Sequence, residues 1–156
     1  MSYWSVFYKQ VKGKQEMNEK FTVRKANEND MAEIQNMIKG LAEYEKRPQD
    51  MTASQKDLCH WIFEKKIATA LSAEYNNEAI GYAIYYPVFG SFAAEAGVHL
   101  EDMFLNEKYR HCGFGRKFFS KIEEFVELDG YSKMEWSCLD WNIPSIRFYN
   151  KIDAVQ

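Results

Sequence analysis

Apolar and polar residues alternate over residues 21–25, with Phe21 and Val23 set against Thr22 and Arg24. A period of two predicts a short half-buried strand. The period then lengthens. Met31, Ile34, Ile38, Leu41 and Ala42 recur every three or four residues, the spacing of one helix face. Asn27 or Asn29 offers the N-cap, Glu28 and Asp30 lie near the positive helix end, and the helix should stop near Lys46, before Pro48. Thr52 with Gln55 reads as a capping box for a second helix, whose apolar face carries Leu58, Trp61 and Ile62. Strand-like runs over 68–75 and 79–86 flank Asn76-Asn77, a hairpin signal. A glycine-containing loop over 87–97 leads to a strand over 98–105. Residues 113–128 form a helical pattern with Phe114, Phe118, Ile122 and Phe125 on one face, closed by Gly130. A strand over 133–139 follows, and Pro144 suits the first turn of a helix reaching Lys151.

The order is strand, two helices, a three-strand meander, helix, strand, helix. It predicts an α/β (α+β) domain with helices covering a central sheet. Residues 1–18 show no clear period, and Lys9, Lys12 and Lys14 read as a solvated stretch. They are expected to be an N-terminal tail or extension ahead of a domain over 19–156. There are no internal repeats and no low-complexity linker.

The composition narrows the possibilities. With 156 residues, 46% of them apolar and 16% aromatic, the chain fits one domain with a core rich in Phe, Tyr and Trp. A formal charge of −3 without any basic run argues against nucleic acid as a partner and suits a cationic substrate. Cys59, Cys112 and Cys138 are odd in number and widely spaced, so neither a disulfide framework nor a zinc site is expected. The pairs Cys59–His60 and His111–Cys112 fall in separate segments and read as packing or loop positions. Residues 1–8 are aromatic but too short for a secretory h-region, and no apolar run is long enough to span a bilayer. A cytoplasmic protein is expected.

The stretch richest in chemistry is Leu100-Glu101-Asp102-Met103-Phe104-Leu105, followed by Tyr109-Arg110-His111-Cys112-Gly113-Phe114-Gly115-Arg116. A strand here runs into a glycine-containing turn that opens a helix. Such a turn leaves backbone N–H groups free at a positive helix end, where a pyrophosphate can sit. Gly113 and Gly115 permit close approach, and Arg110 and Arg116 can neutralise charge. On the local pattern alone, an ordinary strand-to-helix turn is an equal reading. The turn is neither a Walker A loop nor a complete G-x-G-x-x-G.

Arg110-x-x-Gly113-x-Gly115 resembles the R-x-x-G-x-G/A acetyl-CoA signature of the GNAT superfamily, placed between its fourth strand and third helix. Downstream, Asn142-x-x-Ser145-x-x-x-Tyr149 resembles that superfamily's N-x-x-(S/A)-x-x-x-Y segment. Within it, Leu41-Ala42-Glu43-Tyr44-Glu45, Leu100 to Phe104 and Trp141 to Ser145 are most similar to the diamine (spermidine/spermine) and thialysine acetyltransferases. The likeness covers residues 20–151. It implies a central, mixed, mostly antiparallel sheet flanked by helices, acetyl-CoA as co-substrate, no metal, a small amine acceptor and a homodimer. Two departures stand out. The subfamily often has glycine directly after the arginine, where this chain has His111 and Cys112. After Tyr149 the chain reads Asn150 to Gln156 where the family continues through further sheet strands, so the last strand or strands are expected to be missing.

Transfer from a thioester to an amine needs a neutral amine, a donor for the carbonyl oxygen and an acid for the departing thiolate. By the resemblance, Glu101 is substrate anchor and general base, and Tyr149 is the acid. Strand alternation would send Asp102 to the opposite face from Glu101. Met103 and Leu105 would pair with the pantetheine through main chain, and Phe104 between them is expected among the cofactor-binding residues. Arg110, His111, Cys112, Gly113, Phe114, Gly115 and Arg116 would form the pyrophosphate turn. Asn142 would bind near the pantetheine or its thioester end, the alternative being an ordinary turn or N-cap asparagine, and Ser145 is expected among the cofactor-binding residues. Tyr44 and Glu45 would grip a cationic amine. Cys112 is not expected as a nucleophile, because an amine needs no covalent intermediate, and His60 and His99 receive no role. Three activities remain open at this point: direct ternary-complex transfer to a polyamine, diamine or lysine-like amine; a non-catalytic CoA-binding module; or a protein or peptide acetyltransferase.

Overall fold

The turn at Asn76-Asn77 sets the register of the sheet. Both asparagines have positive φ, +52° and +63°, as a two-residue hairpin of primed type requires. The computed structural model describes residues 4–10, 20–152 and 154. Among the described residues six strands form one sheet: β1 (Trp4–Gln10), β2 (Phe21–Lys25), β3 (Thr69–Tyr75), β4 (Glu78–Gly90), β5 (Glu95–Leu105) and β6 (Lys133–Leu139). Their spatial order is β1-β6-β5-β4-β3-β2. Every neighbouring pair is antiparallel except β5 and β6, which run parallel. The mixed, mostly antiparallel sheet expected from the sequence is therefore present. Four helices flank it: α1 (Met31–Tyr44), α2 (Gln55–Cys59), α3 (Phe114–Leu128) and α4 (Ile143–Asn150).

Several boundaries differ from the sequence reading. Asn27 caps a 3-10 turn over Glu28–Asp30, with Asp30 returning the bond, and α1 begins only after that turn. The second helix is capped by Ser54 and Asp57 rather than by Thr52 and Gln55, and it continues as a π-helical turn over His60–Glu64. The stretch 87–97, read as a loop, is mostly strand. Val88 pairs with Gly97 and Gly90 with Glu95, which leaves only 91–94 between β4 and β5. Pro87 is accommodated within β4, opposite Val98.

The larger difference lies at the N-terminus. Residues 4–10, inside the stretch expected to be a tail, pair with β6 from Trp4 opposite Leu139 to Gln10 opposite Lys133. The edge beside β6 is thus taken by an N-terminal strand, where the family resemblance calls for strands from beyond α4. Phe7 is wholly buried, and Lys9 reaches the largely buried Glu123 of α3 at 2.9 Å. Lys9 is therefore not part of a solvated stretch. Lys12 and Lys14 lie outside the described residues.

The sheet has a core on each face. Against α3 lie Phe7, Leu71, Val98, Leu100, Trp136 and the helix residues Phe118, Phe119 and Ile122. Against α1 and α2 lie Tyr82, Ile84 and Phe104 with Met31, Ile34 and Met37. Each such buried side chain contributes about 1.5–3 kcal/mol relative to exposure. At Gly81 β4 and β5 come close. A Cβ there would run into the Phe104 carbonyl oxygen and lie 2.7 Å from Leu105 Cδ2. Only glycine lets β4 approach this part of β5, which is where the site begins.

Candidate active site

β5 and β6 pair only over Val98–Leu100 and Met134–Trp136, although both strands run on to Leu105 and Leu139. Beyond Leu100 they part, and the β6-facing main chain of residues 101–105 pairs with no strand among the described residues. The gap opens into a cleft of about 720 Å³, floored by β5 and by Ser137, Cys138 and Leu139 of β6, and bounded by the end of α1 and by α4. Of the residues expected to act, Tyr44, Glu45, Glu101, Met103, Phe104, Leu105, Arg110, His111, Gly113, Gly115, Arg116, Asn142, Ser145 and Tyr149 all line it. Cys112 and Phe114 do not. Cys112 is exposed, and its thiol bonds the Arg110 carbonyl. Phe114 turns its ring into the core against Phe21 and Tyr75.

One end of the cleft is acidic. The pairing of β4 with β5 slips between Ile84 and Tyr85: Ile84 faces Asp102, Tyr85 faces Leu100, and Glu101 is left opposite nothing. This bulge resets the alternation, so Asp102 is not sent away from Glu101. Both line the cleft and both act electrostatically on Tyr82; Glu101 also acts on Glu45, and Glu45 on Asp102. Burial pushes Asp102 up to about 7, against a 3.0 Å hydrogen bond donated by the Tyr82 hydroxyl, which pulls the other way. Burial also raises Glu45, with Glu101 adding to the shift and Arg47 opposing it. Tyr86 is raised by burial first and then by Glu101. His99 stacks on Tyr86 and comes within 3.9 Å of Glu101. Three carboxyl groups that repel one another in a partly desolvated pocket favour a bound cation.

The other end is the opening of α3. Gly113 stands at the N-cap with φ +84°, and no side chain caps the helix. Its first-turn N–H groups are thus available to an anion. His111 also has a positive φ of +62°, in the left-handed region that favours glycine. The arginines are partly engaged within the chain. Arg110 donates from Nε to the Leu105 carbonyl at 2.9 Å and lies over the rings of Tyr44 and Phe104. Arg116 donates to the Lys151 carbonyl at the end of α4. What this turn can offer an anion is therefore mainly backbone, with Arg110 bracing it. Gly115 lets Phe148 of α4 pack close, since a Cβ would lie 3.4 Å from that ring.

Tyr44 and Asn142 close the span between the two ends. The Tyr44 hydroxyl donates to Asn142 Oδ1 at 2.8 Å, tying the last residue of α1 to the N-cap of α4. Asn142 is buried, and the same oxygen accepts from Ser145 N. It is thus a capping residue as well as part of the cleft wall. Tyr149, near the end of α4, points its ring among Phe7, Trp136, Phe119 and Phe148. Burial raises its phenol well above the ordinary tyrosine value, so it holds its proton at neutral pH. Sequence reasoning underweighted Asp102 and missed Tyr82 and Tyr86 as parts of the acidic end. Nothing in the alternation of apolar and polar residues marks the bulge that gathers them.

A mixed sheet whose central parallel pair splays open, with an uncapped helix N-terminus at the mouth, defines a class. The chain belongs to the acetyltransferase (GNAT) family, whose profile matches residues 30–153, and it is an N-acetyltransferase. Among curated proteins, a thialysine N-epsilon-acetyltransferase of Mus musculus is 28% identical over 141 residues, covering 85% of this chain and 82% of that protein. That of Caenorhabditis elegans is 29% identical over 119 residues, covering 76% and 73%. An L-ornithine N5-acetyltransferase of Arabidopsis thaliana is 34% identical over 74 residues, 47% of this chain and only 32% of that protein's length. Among solved structures, a possible acetyltransferase from Clostridium difficile 630 superposes with a TM-score of 0.74 at 16% identity, covering 88% of this chain and 92% of that one. At that identity the likeness concerns the fold alone. Among the described residues no group of His, Cys, Asp or Glu is placed to hold a metal ion, and no helix is long and apolar enough to cross a membrane.

Proposed function

We propose that the chain transfers an acetyl group from acetyl-CoA to a primary amine of a small cationic molecule, a diamine, polyamine or lysine- or ornithine-like amino acid, in a ternary complex. The observation that carries this reading is the polarity of the cleft. Its α3 end offers uncapped N–H groups to a pyrophosphate, and its other end gathers Glu45, Glu101 and Asp102 for an ammonium group. Between them lies an open strand edge that can pair with the pantetheine amides. The named relatives act on thialysine and ornithine, which are amines of this kind.

Acetyl-CoA supplies the activated carbonyl when bound. The chain's own residues do the rest. Gly113, Gly115 and the first turn of α3 hold the phosphates, with Arg110 and Arg116 beside them. Main chain of Met103 and Leu105 aligns the pantetheine; the Leu105 carbonyl already accepts from Arg110, which leaves its second lone pair. Glu45 and Tyr44 orient the cationic acceptor. Glu101, whose side chain is 55% exposed, can pass the amine's proton to water, and the half-buried Asp102 is a second acceptor. An alkylammonium with a pKa near 10.4 needs such a route at neutral pH. Tyr149 donates its proton to the leaving sulfur. A homodimer is part of the same reading.

The test is turnover by the purified chain with acetyl-CoA and a panel of thialysine, ornithine, 1,3-diaminopropane and spermidine, followed by release of free thiol. Acetylation of at least one of these amines is expected. CoA binding with no thiol release from any of them would overturn the enzymatic reading of the site and favour a CoA-binding module.

A further inference from the structure

We infer that Phe7, carried by the N-terminal strand β1, is a positioning residue for Tyr149, so that a segment outside the family-matched region sets the geometry of proton transfer. The inference rests on the reading of Tyr149 as the acid. Tyr149 is the second-to-last position of α4, an eight-residue helix with no fully buried residue. So short a helix is not rigid by itself. The ring must be held by what surrounds it. Trp136 of β6 lies at 5.1 Å between centroids, Phe7 at 5.3 Å, Phe148 at 5.4 Å and Phe119 of α3 at 6.4 Å. Phe148 belongs to the same helix and moves with it. Trp136, Phe119 and Phe7 are the fixed neighbours.

Phe7 is fully buried and lies parallel to Trp136, 8° between planes at 5.9 Å. It therefore contacts both the tyrosine and the tyrosine's principal support. Two residues on, Lys9 points to the same side, pairs with Glu123 at 2.9 Å and sits 5.6 Å over the Phe119 ring. The strand is thus fastened to β6 by its ladder and to α3 by Lys9. That fastening presses Phe7 against the tyrosine. The Tyr149 hydroxyl makes no hydrogen bond among the described residues, and the packing of its ring directs it. Removing the Phe7 ring would leave space on one side of Tyr149. A displacement of about 1 Å at a reacting group can cost up to roughly 10²-fold in rate.

The experiment is a double-substitution cycle on the full chain, at saturating acetyl-CoA and with the best amine of the panel. Tyr149→Phe alone should lower kcat by roughly 10²-fold. Phe7→Ala alone should lower kcat by about tenfold or more, with KM for acetyl-CoA little changed, and Phe7→Leu should restore most of the rate by refilling the space. In the Tyr149→Phe background, Phe7→Ala should have no further effect on kcat, because the hydroxyl it positions is gone. If Tyr149→Phe leaves kcat unchanged, the acid reading fails and this inference falls with it. If Tyr149→Phe is slow and Phe7→Ala slows it again by the same factor, only the positioning inference fails. A readout independent of turnover is the 19F resonance of 3-fluorotyrosine at position 149, assigned by its loss in Tyr149→Phe. Phe7→Leu, the variant that keeps the core filled, and Phe7→Ala, if it folds, should shift or broaden this line. An unmoved line in the folded variants would overturn the inference even for a chain with no measurable turnover.

Discussion

Replacing Asp102 by Asn isolates the electrostatics of the acidic end. In the folded chain Asp102 is raised from 3.8 to about 7, chiefly by burial. In the unfolded chain it titrates near its ordinary value. Between these two pH values the folded state binds the proton and the unfolded state does not. Stability contributed through this group therefore falls as pH rises from about 4 to about 7, and the loss is complete above that. Three units at about 1.4 kcal/mol each set a ceiling of ~4 kcal/mol, and water in the cleft will screen part of it. Asn keeps the shape and can still accept the Tyr82 hydroxyl, now 3.0 Å from the carboxylate oxygen. Asp102→Asn should thus match the parent near pH 4 and exceed it by a growing margin up to pH 7–8. Urea unfolding at pH 4, 5.5, 7 and 8 measures this directly. The stabilised variant should also acetylate amines more slowly, since a carboxylate facing the substrate has been lost. A stability difference that is the same at every pH, or that favours the parent more as pH rises, would refute the assignment of a raised carboxyl at this position.

Three further outcomes follow from the geometry. Gly113→Val should weaken CoA binding by tenfold or more in calorimetry. A Cβ added there meets no atom within 4 Å, and φ +84° is a conformation that a β-branched residue resists by about 1–2 kcal/mol; unchanged affinity in a folded variant would remove the phosphate site from this turn. Gly81→Ala should destabilise the chain by about 1–3 kcal/mol in urea, because its Cβ would meet the Phe104 carbonyl and lie 2.7 Å from Leu105 Cδ2; a neutral result would mean the β4–β5 spacing relaxes freely. Light scattering should give the mass of a dimer at working concentration, and a monomer alone would exclude the proposed homodimer.

What the sequence disclosed and what it hid divide along the range of the interactions involved. Elements fixed by local chemistry were legible. The Asn76-Asn77 turn, the αL glycines at Gly113 and Gly130 and the strand over 133–139 stand where the pattern places them. The two motifs with fixed spacing put Arg110, Gly113, Gly115, Asn142, Ser145 and Tyr149 on the wall of one cleft. Helix starts were misplaced by a few residues where two cap candidates competed, as at Thr52 and Ser54, since both hydroxyls satisfy the same local rule.

The features that were hidden depend on partners distant in sequence. The bulge at Glu101 exists only because β4 and β5 slip by one residue against each other, and period-two reasoning sends Asp102 to the wrong side as a result. β1 has no legible face of its own. Its ladder is with residues 133–139, and its inward pair, Phe7 and Lys9, makes sense only against Trp136 and Glu123, more than a hundred positions away. A lysine that is solvated by local pattern becomes an anchor once a carboxylate on α3 faces it. The same argument bears on the site. Local motifs specify which groups a reaction can use, whereas the shift of Asp102 and the support of Tyr149 arise from strand register and from an edge strand contributed by the opposite end of the chain. The groups on the cleft wall thus come from α1, β5, the turn before α3 and α4, and their tuning is distributed over the sheet.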